Sequence, residues 1–101
     1  MNKGTTPIHI FGVPAEIASS AKEVKITYSQ RDNEILVKRT EDCTIGEDTI
    51  TTRLTQEDTF LFDHNEIVSI QIRVLTSSGD ALASDLISVS VKKCLDEEVL
   101  V

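Results

Sequence analysis

The sequence predicts an all-β chain, an antiparallel sandwich of about six or seven short strands with one short helical turn near residues 55–60. Three observations carry this. Apolar and polar residues alternate with period two over most of the chain. Turn residues recur roughly every ten positions. No segment has the length and period of a helix that could cross between parallel strands.

The clearest alternation runs from Glu66 to Thr76. Val68, Ile70, Ile72 and Val74 fall on one face and Ser69, Gln71 and Arg73 on the other, with Ile67 and Leu75 adding apolar cover near the ends. Ser77-Ser78-Gly79-Asp80 then reads as a hairpin turn into a second run, Leu82 to Val91. There Asp85 falls in phase with Ile87, Val89 and Val91, which places it either at the rim or at a bulge that shifts the phase. A second hairpin joins Val24, Ile26 and Tyr28, through the turn Gln30-Arg31-Asp32-Asn33, to Ile35 and Val37. Ile50, Thr52 and Leu54 alternate with Thr49, Thr51 and Arg53 after Gly46-Glu47-Asp48. Near the start, Ile8 and Ile10 flank His9 in a short strand that Gly12 and Pro14 end.

One segment breaks the rhythm. Thr55-Gln56-Glu57-Asp58 has the form of a capping box, a hydroxyl followed three residues later by an acid. It predicts one helical turn, with Phe60 and Phe62 plugging the open end of the core. The strand count and turn spacing match an immunoglobulin-like sandwich, without the Cys…Trp…Cys pattern of antibody domains. Residues 1–94 read as one domain and residues 95–101 as a distinct tail, with Leu95, Val99, Leu100 and Val101 apolar and Asp96-Glu97-Glu98 acidic. The tail reads either as a frayed or edge-paired end of the same domain or as an arm on a neighbouring subunit.

Composition narrows the function. The chain has 101 residues, enough to bury roughly 60–70% of its unfolded surface without staples. With aromatics at 4% and no Trp, the core rests on Ile, Val and Leu. Ten Lys+Arg against 17 Asp+Glu leave a net charge of −7, which disfavours nucleic acid and anionic membranes as partners. No apolar run approaches the ~20 residues of a membrane span, and the polar start Met1–Pro7 lacks a signal-peptide core. Cys43 and Cys94 are expected as free thiols.

A search for chemistry finds no catalytic set. His9 and His64 are far apart in unlike settings, and neither has the companions of a metal site. Asp63-His64-Asn65-Glu66 lacks the Gly and distal Glu of a calcium loop and reads as a solvated turn. There is no Gly-x-Ser-x-Gly elbow and, with 4 Gly, no phosphate-cradling loop. The expectation is a non-enzymatic chain with no catalytic, cofactor-binding or metal-binding residues and no small-molecule substrate. A sugar-binding module is the third reading of function, although Tyr28 is the single Tyr and the Phe residues read as core.

Several stretches resemble small proteins encoded among the structural genes of tailed phages and prophages of Gram-positive bacteria. They are Asn2-Lys3-Gly4-Thr5-Thr6-Pro7, Leu54-Thr55-Gln56-Glu57-Asp58-Thr59, Ile70-Gln71-Ile72-Arg73-Val74, Ser77 to Asp80, and Ala83-Ser84-Asp85-Leu86-Ile87. The overall plan is also similar to the N-terminal domain of phage upper baseplate proteins. The resemblance implies a protein-interaction module of the tail or baseplate, made in the bacterial cytoplasm and carried in the virion. Its partners would be other phage structural proteins or further copies of itself. Leu95, Val99, Leu100 and Val101 are then the candidate contacts. The alternative is a small regulatory or inhibitory protein that binds a host factor, for which the acidic surface would favour a basic target.

Overall fold

The computed structural model describes all 101 residues. The elements are β1 (Ile8–Gly12), α1 (Ala15–Ser20), β2 (Ala21–Gln30), β3 (Asn33–Arg39), a 3₁₀ turn (Thr40–Asp42), β4 (Cys43–Ile45), β5 (Thr49–Arg53), α2 (Gln56–Phe60), β6 (Val68–Thr76), β7 (Ala81–Ala83) and β8 (Ile87–Val89). They form two antiparallel sheets, ordered β1-β5-β4 and β3-β2-β6-β7, with β8 on the same edge of β6 as β7. This is the expected sandwich. The order β1-β5-β4 corresponds to immunoglobulin strands B-E-D, and β3-β2-β6-β7/β8 to C′-C-F-G. The place of a first strand beside β1 is not filled. Instead Met1–Lys3 lies against residues 90–92, just past β8, through a parallel bridge between Asn2 and Lys92.

The facing sides of the sheets make one core. Val24, Ile26 and Tyr28 from β2, Ile50 from β5, Leu54 just beyond it, and Val68, Ile70, Ile72 and Val74 from β6 are all buried, together with Phe11, Phe62 and Val91. Each such side chain contributes roughly 1.5–3 kcal/mol through lost water contact. The period-two readings of β2, β5 and β6 therefore hold in phase, although β2 starts earlier, at Ala21, and β6 later, at Val68.

The β2–β3 hairpin turns at Arg31 and Asp32, both left-handed, with φ of 52° and 63°. Two successive left-handed residues match the right-handed strand twist and make this a tight hairpin loop. The second hairpin turns at Gly79, whose φ of 92° favours glycine, and is closed by Thr76 N–H donating to the Asp80 carbonyl at 2.9 Å.

The last run is two strands, not one. Ala83 stands opposite Arg73, whereas Ile87 stands opposite Ile70, so one extra residue lies on this side of the pair. That is the bulge reading of Asp85. Ser84 holds it: its N–H donates to the Ile72 carbonyl at 2.9 Å, and its Oγ accepts from Ile72 N–H at 3.2 Å, in place of a backbone carbonyl. The slip carries the inward phase from Leu82 over to Ile87 and Val89.

Helix α2 forms as the capping box predicts. Thr55 Oγ1 accepts from Asp58 N–H at 3.1 Å, and Asp58 Oδ2 accepts from Thr55 N–H at 2.9 Å. Of the two aromatics expected as a plug, Phe62 is in the core while Phe60 is only half-buried. Gly4 lies beside the Phe60 ring, where a Cβ would come within 2.9 Å of it. Helix α1 and strand β4 are additions to the predicted pattern. Ile67 is exposed at 53%, so the apolar cover expected at that end of β6 is not provided there.

Candidate interaction surface

Four polar groups between the sheets, on His9, Tyr28, Cys43 and Thr52, lie near one another. On β1 it is His9 and Phe11 that face inward, while Ile8 and Ile10 point away from the core and are 57% and 67% exposed. His9 Nδ1 meets the Tyr28 hydroxyl at 2.6 Å, linking the two sheets. Thr52 stands opposite both His9 and Cys43 in the ladder. Burial pushes the Tyr28 hydroxyl well above its ordinary range, helped by the neighbouring Cys43 and Asp58. Burial also pushes the Cys43 thiol up. It pulls the His9 imidazole down, and the Met1 ammonium adds to that. At neutral pH the phenol and the thiol therefore keep their protons and the imidazole is uncharged, so neither Tyr28 nor Cys43 is primed as a nucleophile.

Lys38, on the inward face of β3, ends this cluster. Its Nζ lies 2.8 Å from Asp58 Oδ2, with both side chains largely covered. Burial raises the Asp58 carboxyl, but the Lys38 hydrogen bond and the Thr55 N–H outweigh it, and the group titrates below its ordinary value. Asp63 and Glu66 are tied to Arg31 at 2.6 and 2.9 Å, and Asn65 N–H donates to Asp63 Oδ1, so the predicted solvated turn is a local ion-pair knot. Cys43 and Cys94 are unpaired. No three His, Cys, Asp or Glu side chains converge on a metal position.

The tail residues do not come together as one apolar contact. Leu95, Leu100 and Val101 are exposed and Val99 is half-buried. Polar links hold the segment instead. The Gln56 amide donates to the Leu100 carbonyl at 2.9 Å and accepts from its N–H at 2.8 Å, and Lys3 pairs with Glu97 at 2.8 Å.

Two surface features were not visible in the sequence. The first is the free edge of β1. Pro7 C=O and Val13 N–H both bond toward the β5 side, to Leu54 and Asp48. By the antiparallel alternation, the N–H and C=O groups of Ile8, Ile10 and Gly12 then point away from β5. The other sheet projects past this edge. Leu82 and Ile87 face inward from it yet remain 42% and 43% exposed, because no strand lies opposite. A groove of about 390 Å³ runs there between Gly12–Pro14 and Ile17 on one side and Ile72, Val74 and Leu82 on the other. The other edges are protected: β3 carries Lys38 inward, β4 has three residues, and β7/β8 is broken by the bulge. Strand β1 has neither charge nor proline to discourage pairing.

The second feature is a row of cations on the outer face of the five-stranded sheet. Lys25 stands directly opposite Arg39 on one side and Arg73 on the other. Strand register created this row, and no local motif announces it.

No protein-family model, curated protein or solved structure matches the chain. No helix is long and apolar enough to cross a membrane.

Proposed function

We propose that the chain is a non-enzymatic protein-interaction module, a small structural or assembly piece in the tail or baseplate region of a tailed phage. The observation that carries the interaction reading is the unguarded β1 edge beside the uncovered apolar residues Leu82 and Ile87. An exposed row of backbone donors and acceptors above an apolar groove is what an added strand requires. The phage assignment is supported by the sequence resemblance alone. Partners on this reading are other virion proteins or further copies of the chain, with Leu95, Val99, Leu100 and Val101 as additional contacts.

Mass spectrometry of purified particles from the strain that encodes the gene tests the assignment. Stoichiometric presence, at a copy number matching a tail or baseplate ring, is the expected result. Absence from particles while the protein is plentiful in the lysate would sink the structural reading in favour of a regulator directed at a host factor.

A further inference from the structure

The row Arg39–Lys25–Arg73 is costly to the fold and unexplained by it. Like charges directly opposite one another on neighbouring strands destabilise a sheet, and this chain carries 17 acidic residues that could have relieved them. Arg39 and Arg73 form no ion pair, and Lys25 reaches only Glu34, at the limit of 4.0 Å. The three cations edge a dimple of about 210 Å³ whose opposite wall is Leu75 and Ala81, with Glu23 beside them. The dimple thus offers three cations along one side and, along the other, the apolar Leu75 and Ala81 with the single carboxylate of Glu23 opposite Leu75.

The tail presents the complement. Asp96 and Glu98 have no cation within ion-pair distance, whereas Glu97 between them is held by Lys3. Flanking them are the exposed Leu95 and the half-buried Val99. Three strands span roughly 10 Å from Arg39 to Arg73. Asp96 Oδ1 accepts from Glu98 N–H at 2.9 Å in the free chain; drawn out as a strand on docking, an acidic pair two residues apart covers roughly 7 Å of chain, and its side chains make up the difference. In its own domain the tail is tied across to α2 through Gln56, so the segment that reaches this face comes from another molecule.

We infer that the Arg39–Lys25–Arg73 face is a docking site for the acidic C-terminal segment of a second copy of this chain. Asp96 and Glu98 sit against the cations, and Leu95 and Val99 lie toward Leu75 and Ala81. Donor and acceptor are different surfaces, so the contact is head-to-tail and propagates from copy to copy. The inference rests on the reading of the chain as an interaction module and names one of its surfaces and the partner that surface takes.

Sedimentation of the full chain at low ionic strength tests it with a charge swap. Wild type should associate with rising concentration and return to monomer near 1 M salt, where screening shortens to about 3 Å. The doubly reversed face, Arg39→Glu with Arg73→Glu, should weaken association by roughly tenfold or more, as should the reversed tail, Asp96→Lys with Glu98→Lys. Mixing the two variants should restore it, since each then meets an opposite charge. Both face substitutions remove like-charge repulsion, so a normal circular dichroism spectrum is expected. A wild-type chain that stays monomeric at every concentration would overturn the inference. So would association that neither variant alters, which would assign self-contact to the β1 edge. Equal uptake of inorganic phosphate by wild type and a chain ending at Cys94, with no self-association, would make the face a simple anion site and overturn it as well. Particle mass spectrometry is independent of all these results, so either reading can fail alone.

Discussion

His9 and Tyr28 are hydrogen-bonded across the interior of the sandwich, Nδ1 to hydroxyl at 2.6 Å, and their rings lie 5.6 Å apart. The bond joins the edge strand of one sheet to a central strand of the other. Tyr28→Phe keeps the ring packing on Phe62 but strands the imidazole, and should cost about 1–3 kcal/mol in a urea titration.

The same residue sets a pH dependence. Burial holds the His9 pKa below its ordinary 6.5, so the unfolded chain binds this proton more readily than the folded one. The stability His9 contributes is therefore complete above pH 6.5 and declines as pH falls through its depressed folded value. A further loss begins below about pH 3.8, where Asp58 takes up a proton in the unfolded chain first. Urea midpoints measured from pH 8 to pH 3 should show both steps, and His9→Gln should remove the upper one. A midpoint that is flat between pH 7 and pH 5 would contradict the burial of this imidazole.

Asp58 serves two neighbours, closing the box with Thr55 and pairing with Lys38. Thr55→Ala removes the cap alone and should cost about 1 kcal/mol. Asp58→Ala also leaves Lys38 uncompensated under cover, and should cost more, about 2–3 kcal/mol. Lys38→Met should be milder than Asp58→Ala, because a carboxylate that loses its cation still caps α2. Equal losses for Asp58→Ala and Thr55→Ala would mean that the ion pair contributes nothing.

What could be read in the sequence follows from where each element draws its stability. β6 lies between two neighbours with one face in the core, so its pattern alternates without interruption from Val68 to Val74. α2 announces itself because its cap is made by its own side chains. α1 does not: it has six residues, no side-chain cap, and only Ala18 buried, so there is no helical period to detect. β4 is three residues long and exists through pairing with β5. For β1 the alternation revealed a strand but not which phase turns inward. The inward face carries His9 because Tyr28 provides its partner, a fact about a distant strand. The cation row depends likewise on the register of three strands, and the hold on the tail depends on Gln56, which sits in a helix the tail never touches in sequence. Local signals were legible. Surfaces assembled from several strands were not.

Asp32 gives a prediction of the opposite sign. It occupies a left-handed conformation at φ 63° that costs a residue with a Cβ about 1–2 kcal/mol. Asp32→Gly should raise stability by about 0.5–1 kcal/mol, after allowance for the greater freedom of glycine in the unfolded chain. Arg31, with its ties to Asp63 and Glu66, is left untouched. Chemical denaturation of the single variant checks the sign, and a loss would mean that the Asp32 side chain supports the turn.

Gln30 and Gln56 make the same kind of two-way amide bond, but in different surroundings. Gln30 is buried; its Nε2 donates to the Asp63 carbonyl at 2.8 Å and its Oε1 accepts from Asp63 N–H at 2.8 Å. Replacing it, as in Gln30→Leu, leaves a covered carbonyl and N–H without partners and should cost about 1–3 kcal/mol globally. Gln56 binds Leu100 where water can substitute for it. Gln56→Ala should therefore leave the urea midpoint within about 0.5 kcal/mol of wild type, while amide exchange at Leu100 accelerates toward the rate of a free chain. Exchange at Leu100 that does not change in Gln56→Ala would mean that something other than this amide holds the tail. A global loss as large as that of Gln30→Leu would make residues 95–101 an integral part of the sandwich and remove the segment from the surfaces offered to a partner.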